Sequence, residues 1–283
     1  MASGLYKTTE CPGHFERLCA LAGVSRVRTL VLDTLKFLLL MAALVWLLLN
    51  GSERLGYNWQ WYRIPKYLYT IENGEFVAGP LMHGLWMTLR ITGTSLVLCL
   101  AFGLVCAVFR MSRSVVARAV GRLYVELIRN TPLLIQIFFI YFVLAPVLGI
   151  SRFWSAVLAL SLFEGAYASE IFRAGIQSIH RGQWEAAYSL GLGTLHTYIY
   201  VILPQAVRRI VPPLTNQAVA LIKDSALVST IAVFDLTMRG HVIVADTFLT
   251  FEVWFTVAAI YLALTLTISG MVSYMEYRFR LEQ

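Results

Sequence analysis

Gly182-Gln183-Trp184-Glu185-Ala186-Ala187, followed by Gly191 six residues after the glutamate and closed by Leu203-Pro204, lies between two strongly apolar runs, 153–176 and 209–234. Residues 182–200 include Gln183, Glu185, Ser189, Thr194, His196 and Thr197, too polar a set to sit in hydrocarbon. Helix formers at 183–187, a glycine at 191 and the proline at 204 predict two short helices separated by a bend. A short, bent, amphipathic helix in a loop has the shape that fits a groove on a partner protein.

Outward from that loop the chain is 58% hydrophobic and 14% charged over 283 residues, with a mean hydropathy of +0.69. These values, gathered in long runs, predict a polytopic membrane protein. A span needs about 20 mostly apolar residues to cross roughly 30 Å of hydrocarbon. Six stretches qualify: 30–49, 81–109, 120–148, 153–176, 209–234 and 252–274. The first, with Asp33 and Lys36 near its entry, is long for a signal-peptide core and reads as a permanent helix.

The net charge of +7 is distributed as orientation, not as a nucleic-acid surface. With a cytoplasmic N-terminus, Lys7, Arg17, Arg26, Arg28, Arg110, Arg113, Arg118, Arg122, Arg173, Arg181, Arg208, Arg209, Arg278 and Arg280 fall inside. Arg54, Arg63, Lys66, Arg152 and Arg239 fall outside, fourteen against five. Both termini and the 177–208 loop are then cytoplasmic. Cys11, Cys19, Cys99 and Cys106 lack a CxxC spacing, and the five histidines have no HExxH or other ligand pattern, so no metal is expected. Tyr57 to Arg63 and Tyr67-Leu68-Tyr69 crowd aromatics and cations as an interfacial belt does; a docking surface for a soluble partner is the alternative.

Within the spans the polar residues are few and placed. Gly84, Gly93 and Gly103, with Thr88, Thr92, Thr94 and Ser95, permit close helix packing in the second. The third opens with Glu126-Leu127-Ile128-Arg129-Asn130-Thr131-Pro132-Leu133-Leu134-Ile135-Gln136. Glu126 and Arg129, at i,i+3, are expected to pair, and Pro132 to kink the helix. The fourth carries Glu164, Tyr167, Glu170 and Arg173, with Glu170–Arg173 a second local ion pair; the fifth carries Lys223, Asp224 and Ser225. Intramembrane charges are functional candidates by default. A zwitterionic amino acid needs an acceptor for its ammonium and donors for its carboxylate, and Glu164, Lys223, Asp224 and Ser225 offer these; interhelical pairing is the competing role.

The loop resembles the EAA motif of ABC-importer permeases, in which Glu-Ala-Ala, a glycine and a hydrophobic-x-Leu-Pro follow at fixed distances. Glu-x-x-Arg-x-Thr-Pro-Leu-Leu-x-Gln at 126–136, Ala-Tyr-x-x-Glu-Ile-x-Arg at 166–173 and Lys-Asp-Ser-x-Leu at 223–227 resemble the polar-amino-acid branch of that family. The resemblance covers 81–274. It implies an all-α membrane bundle of the type I (MetI-like) importer, five core helices plus one N-terminal helix. It divides the chain into a tail at 1–29, an added helix and outer loop at 30–80, the core at 81–274 and a tail at 275–283. Coupling to the ATPase falls to Gln183, Glu185, Ala186, Ala187, Gly191, Leu203 and Pro204. It implies two ATPase subunits holding ATP and magnesium, no cofactor on this chain, a second permease copy or a sister permease, and a periplasmic or tethered binding protein. The substrate implied is a polar L-amino acid, with glutamate, glutamine or aspartate favoured. No GxSxG, HExxH or Gly-Lys pair occurs, so the chain is not expected to be an enzyme. An ion-coupled secondary transporter is the alternative; the coupling loop and the lack of an evident internal repeat weigh against it.

Overall fold

The computed structural model describes residues 32–43, 45–47, 50–51, 57–72 and 74–280. The expected 1–29 tail, with Cys11 and Cys19, and residues 281–283 lie outside them. The chain divides into two compact units, Met1–Trp59 and Gln60–Gln283. In the first, residues 32–43 and 45–47 are helical. Their apolar side chains face outward (Leu39 61% and Trp46 68% exposed), the exposure that lipid contact requires. Asp33 and Lys36 pair at 3.5 Å near the helix entry.

The second unit begins with a helical turn at Pro65–Leu68 and a small antiparallel hairpin, β1 (Tyr69–Glu72) and β2 (Glu75–Ala78). These residues, expected to belong with the first span, are held to the core instead. Ile64 is buried among Leu81, Leu236, Leu249 and Val253, and the Gln60 amide donates to Glu252 Oε1 at 2.6 Å. The helices that follow are α1 (Pro80–Met111), α2 (Val115–Arg129) and α3 (Leu133–Leu148), then α4 (Arg152–Gln177) and α5 (Arg181–Ser189). After these come α6 (Thr194–Thr197), α7 (Leu203–Asp224), α8 (Leu236–Thr247) and α9 (Thr250–Arg280).

The centre of the bundle is the α1–α4 pair. Lipid tails are as apolar as leucine, so helices associate in a bilayer through close packing and interhelical hydrogen bonds. Gly103 lies against Ala168 and Ser169, Ser161 Oγ donates to the Ser95 carbonyl at 3.3 Å, and Tyr124 from α2 donates to the Leu162 carbonyl at 2.6 Å. Gly84 admits the backbone at Asp235–Leu236, where Thr88 Oγ1 accepts the Leu236 amide. A Cβ at Gly93 would meet nothing within 4 Å among the described residues, so its expected packing role is not found among them.

Two expected spans take a different form. The 120–148 stretch is not one kinked span: α2 and α3 meet at 106°. Thr131-Pro132 separates them because proline lacks the amide to continue and disfavours helix before it. The predicted fifth span at 209–234 starts earlier, at Leu203, ends at Asp224 and continues as a 3-10 turn, Ser225–Ile231. Hydropathy alone had not marked α8, whose 12 residues span only about 18 Å, short of a bilayer. π-Helical stretches at Phe139–Leu144 and Tyr198–Ile202 each lead into a proline, Pro146 and Pro204. A proline ring clashes with the carbonyl four residues back, here Phe142 and Tyr200, and the widened turn relieves it. Among the described residues, three helices and the bent α2–α3 pair are long and apolar enough to cross a membrane.

Candidate functional site

The polar loop folds as two short helices with a bend. His180 caps α5 through Nδ1, which accepts the Gly182 amide at 3.1 Å. At the other end the Gly191 amide bonds the Tyr188 carbonyl at 2.9 Å and the Leu192 amide bonds the Ala187 carbonyl at 3.1 Å. This is the paired closure of a Schellman motif with glycine in the left-handed position, and Gly191 has φ +79°. The glycine therefore sets the bend; among the described residues a Cβ there meets nothing within 4 Å.

The loop is mounted firmly. Ala187 is buried, Trp184 packs edge-on against Tyr198 at 5.0 Å, and both lean on a cluster of Ile176, Ile179, Ile202, Ala206 and Ile210. Gln205 on α7 donates to Gln183 Oε1 at 3.2 Å, and Arg209 holds the Ser178 carbonyl at the end of α4 at 2.6 Å. Burial, with Tyr188 adding to it, pushes the Tyr198 hydroxyl above its ordinary pKa, so that hydroxyl keeps its proton at any cellular pH. Glu185, Ala186, Gly191, Leu203 and Pro204 face outward. Tyr188, Leu190 (81% exposed), Leu195 and Tyr200 join them in an apolar outer surface.

Above the loop lies an arginine cluster. Glu170 accepts from Arg110 at 2.7 Å and from Arg173 at 2.7 Å, and Arg129 stands 3.7 Å from it. Arg129 thus turns to Glu170 and the Tyr167 ring (5.0 Å), not to Glu126 as its spacing led us to expect. Glu126 has no ion pair among the described residues. Gln136 closes the break, its Nε2 donating to the Ile128 carbonyl and to Thr131 Oγ1, each at 2.7 Å.

A second polar group is buried deeper. Glu164 is 1% exposed, accepts from Gln217 Nε2, and lies near enough to the half-buried Asp224 for the two charges to interact. Two facing carboxyls in a low-dielectric interior repel strongly unless a cationic group or proton lies between them. The expected partners do not all gather there. Lys223 is exposed, the buried Ser225 hydroxyl is spent on the Ile222 carbonyl, and Tyr167 belongs with the arginines. Gln217 and Arg110 were missed in the sequence. An amide within the 209–234 run, and a cation one turn from the end of a span, were the available signals.

Comparison with known proteins agrees with this architecture. Residues 100–281 match the family of binding-protein-dependent transport system inner membrane components. The glutamine transport system permease protein GlnP of Escherichia coli (strain K12) is 40% identical over 204 residues, 71% of this chain and 93% of that protein. The L-cystine transport system permease protein TcyB of Bacillus subtilis (strain 168) is 44% identical over 163 residues, 57% of this chain and 69% of that one. A crystal structure of an amino acid ABC transporter with histidines superposes with TM-score 0.67 at 40% identity, covering 70% of this chain and 94% of that one. The inward-facing MetNI methionine transporter shares the fold, with TM-score 0.60 at 20% identity over 70% of this chain and 95% of its own. With its bent α2–α3 pair, its α4–loop–α7 hairpin and a match over residues 100–281, the chain belongs to the inner-membrane permeases of binding-protein-dependent ABC transporters, in the amino-acid branch.

Proposed function

We propose that this chain moves a polar L-amino acid into the cell, glutamine foremost among glutamine, glutamate and aspartate, using ATP hydrolysed on two partner subunits. The single observation that carries the reading is the Gly191-locked α5, which presents an apolar outer surface while rooted on α4 and α7. Those two helices also carry the Glu164–Asp224–Gln217 group. Movement of α5 in a cleft of an ATPase is passed to that group through helices, with no flexible linker between. Glu185, Ala186, Leu190, Leu203 and Pro204 make the contact, Gly191 sets the bend, and Gln183 and Ala187 hold the base. The acid pair receives the substrate's ammonium, and Gln217 adds an amide for a polar side chain.

In this reading ATP and magnesium reside on the partners, a second copy or sister permease completes the path, and a periplasmic or tethered binding protein delivers the substrate. The termini and the coupling loop face the cytoplasm, as the basic residues are distributed. The division into a 1–29 tail, added helix, core and C-terminal tail follows that orientation. Relatives named for glutamine support the substrate; a relative named for L-cystine marks how far the branch extends. Affinity purification from native membranes in mild detergent tests the assembly. Co-elution of an ATPase and a binding protein supports it, and ligand binding to that binding protein names the substrate. A stable complex with no ATPase overturns it.

A further inference from the structure

A cavity of about 300 Å³ opens beside the arginine cluster, bounded by Arg110, Arg122, Arg129, Tyr167 and Glu170. Arg110, Arg129 and Arg173 share the one carboxylate of Glu170, and Arg122 has no ion pair or hydrogen bond among the described residues. With Glu126 also on the wall, three guanidiniums line the cavity against two carboxylates, an excess of one positive charge, and Arg173, bonded to the same Glu170 from outside the lining, adds another. Guanidinium forks match the oxygens of a phosphate or carboxylate, so the site asks for an oxyanion.

The same helix indicates where that oxyanion comes from. On α2, Val116, Val120, Leu123 and Leu127 form a stripe at helical spacing, each more than half exposed (72%, 52%, 57% and 58%). Arg118, Arg122 and Arg129 lie off that stripe. Such a helix settles at the boundary of headgroup and acyl chain, apolar face inward. Arg110 is in the last turn of the spanning α1, which sets the cavity at that same depth. Glu170 is near the end of α4 that leads into the coupling loop, so the leaflet concerned is the one on the loop's side.

We propose that this cavity binds the phosphate of an anionic phospholipid, with Arg122 as its free ligand and the apolar stripe of α2 against the acyl chains. The proposal concerns a site on this chain alone and does not depend on which amino acid is carried. A lipid held there braces α2 against α4 next to the break at Pro132, so the charge of the leaflet bears on how readily the bundle rearranges.

The experiment uses the intact transporter complex, exchanged into detergent with phosphatidylglycerol or phosphatidylcholine and followed by native mass spectrometry. Phosphatidylglycerol is expected to be retained in preference to phosphatidylcholine. Arg122→Gln, an exposed position whose loss breaks no contact, is expected to lower that preference about fivefold, the effect of one cation at an anionic surface. Arg63→Gln, far along the chain, serves as the control and is expected to leave it unchanged. Equal retention of the two lipids, or an unchanged preference in Arg122→Gln, overturns the proposal. So does displacement of the lipid by millimolar inorganic phosphate or free glutamine, which would assign the cavity to a soluble anion or to the substrate's own carboxylate. Each readout is lipid retention, so the outcome stands whether or not the complex transports glutamine.

Discussion

Gln136 Nε2 donates to the Ile128 carbonyl at 2.7 Å across the break that Pro132 makes between α2 and α3. The glutamine thus replaces a bond the proline cannot make, and it keeps a 106° corner from opening. Two further contacts, to the Thr131 carbonyl (3.1 Å) and hydroxyl (2.7 Å), fix the same turn. An interhelical hydrogen bond in a bilayer contributes about 0.6 kcal/mol on average and up to roughly 1.7. Gln136→Leu is therefore expected to destabilise the permease by about 1–3 kcal/mol. Its temperature of half-loss in fluorescence-detected size exclusion should fall below that of the wild type. An unchanged temperature would show that the corner is held by packing alone.

Gly191 separates two effects that a bulky substitution would merge. Its φ of +79° costs an ordinary L-residue about 1–2 kcal/mol, and asparagine less. Among the described residues, nothing stands within 4 Å of a Cβ there. Gly191→Asn is thus expected to insert and purify normally, and Gly191→Val to lose most uptake while remaining in the membrane. If uptake by Gly191→Asn falls as far as by Gly191→Val, the open space beside this glycine is filled by the partner, not by water. Uptake of labelled glutamine, normalised to permease abundance, makes the comparison.

The legibility of the sequence was uneven, for physical reasons. The loop could be read because its breakers are local: Gly191 and Pro204 act within one or two turns of themselves, whereas the equally local His180 cap carries no apparent sign in a histidine. The spans 81–109, 153–176 and 252–274 follow from length and hydropathy, which the bilayer imposes on each helix separately. The corner at Pro132 was visible only as a kink, since a proline marks a break but the angle is set by what α2 packs against, here Cys106 and Ala166. Arg129 was paired with its helical neighbour because i,i+3 contact is the only one a linear pattern displays. Its actual partner, Glu170, comes from another helix. The short α8 hid between two runs because half a bilayer of helix has no hydropathy signature of its own.

Gly175 on α4 faces Ile210 on α7, and these are the two helices that carry the loop. A Cβ at this position would overlap Ile210 on α7. Overpacking of this kind costs about 1–3 kcal/mol, because the neighbour must leave its rotamer or the helices must part. Gly175→Ala is expected to lower thermal stability, and with it the fraction of permease that retains ATPase through purification. Ile210→Ala opens the matching space, so the double variant should recover part of the loss. A double-mutant cycle in the apparent unfolding temperature checks the coupling. Strict additivity would mean that α4 and α7 part at Gly175 without cost.

Glu164 and Asp224 offer the sharpest test of the substrate path. They approach from α4 and α7, and Gln217 donates to Glu164 from the same side of α7. If the pair receives an ammonium group, neither carboxylate substitutes for the other, because each alone leaves one side of the cation unmatched. Glu164→Gln keeps the volume and an oxygen that accepts from Gln217 Nε2, so the fold is expected to persist. Uptake should fall by about tenfold or more, the loss of a charge-assisted hydrogen bond worth roughly 1.5–3 kcal/mol. Asp224→Asn should behave alike, and the double variant should be little worse than either. Lys223→Gln, at an exposed position beside them, is expected to change uptake less than about fivefold, since a surface charge contributes only about 0–1 kcal/mol. Labelled-glutamine uptake by proteoliposomes holding the complete complex measures all four. Independent, multiplying losses for Glu164→Gln and Asp224→Asn would show two separate structural roles and remove the acid pair from the path.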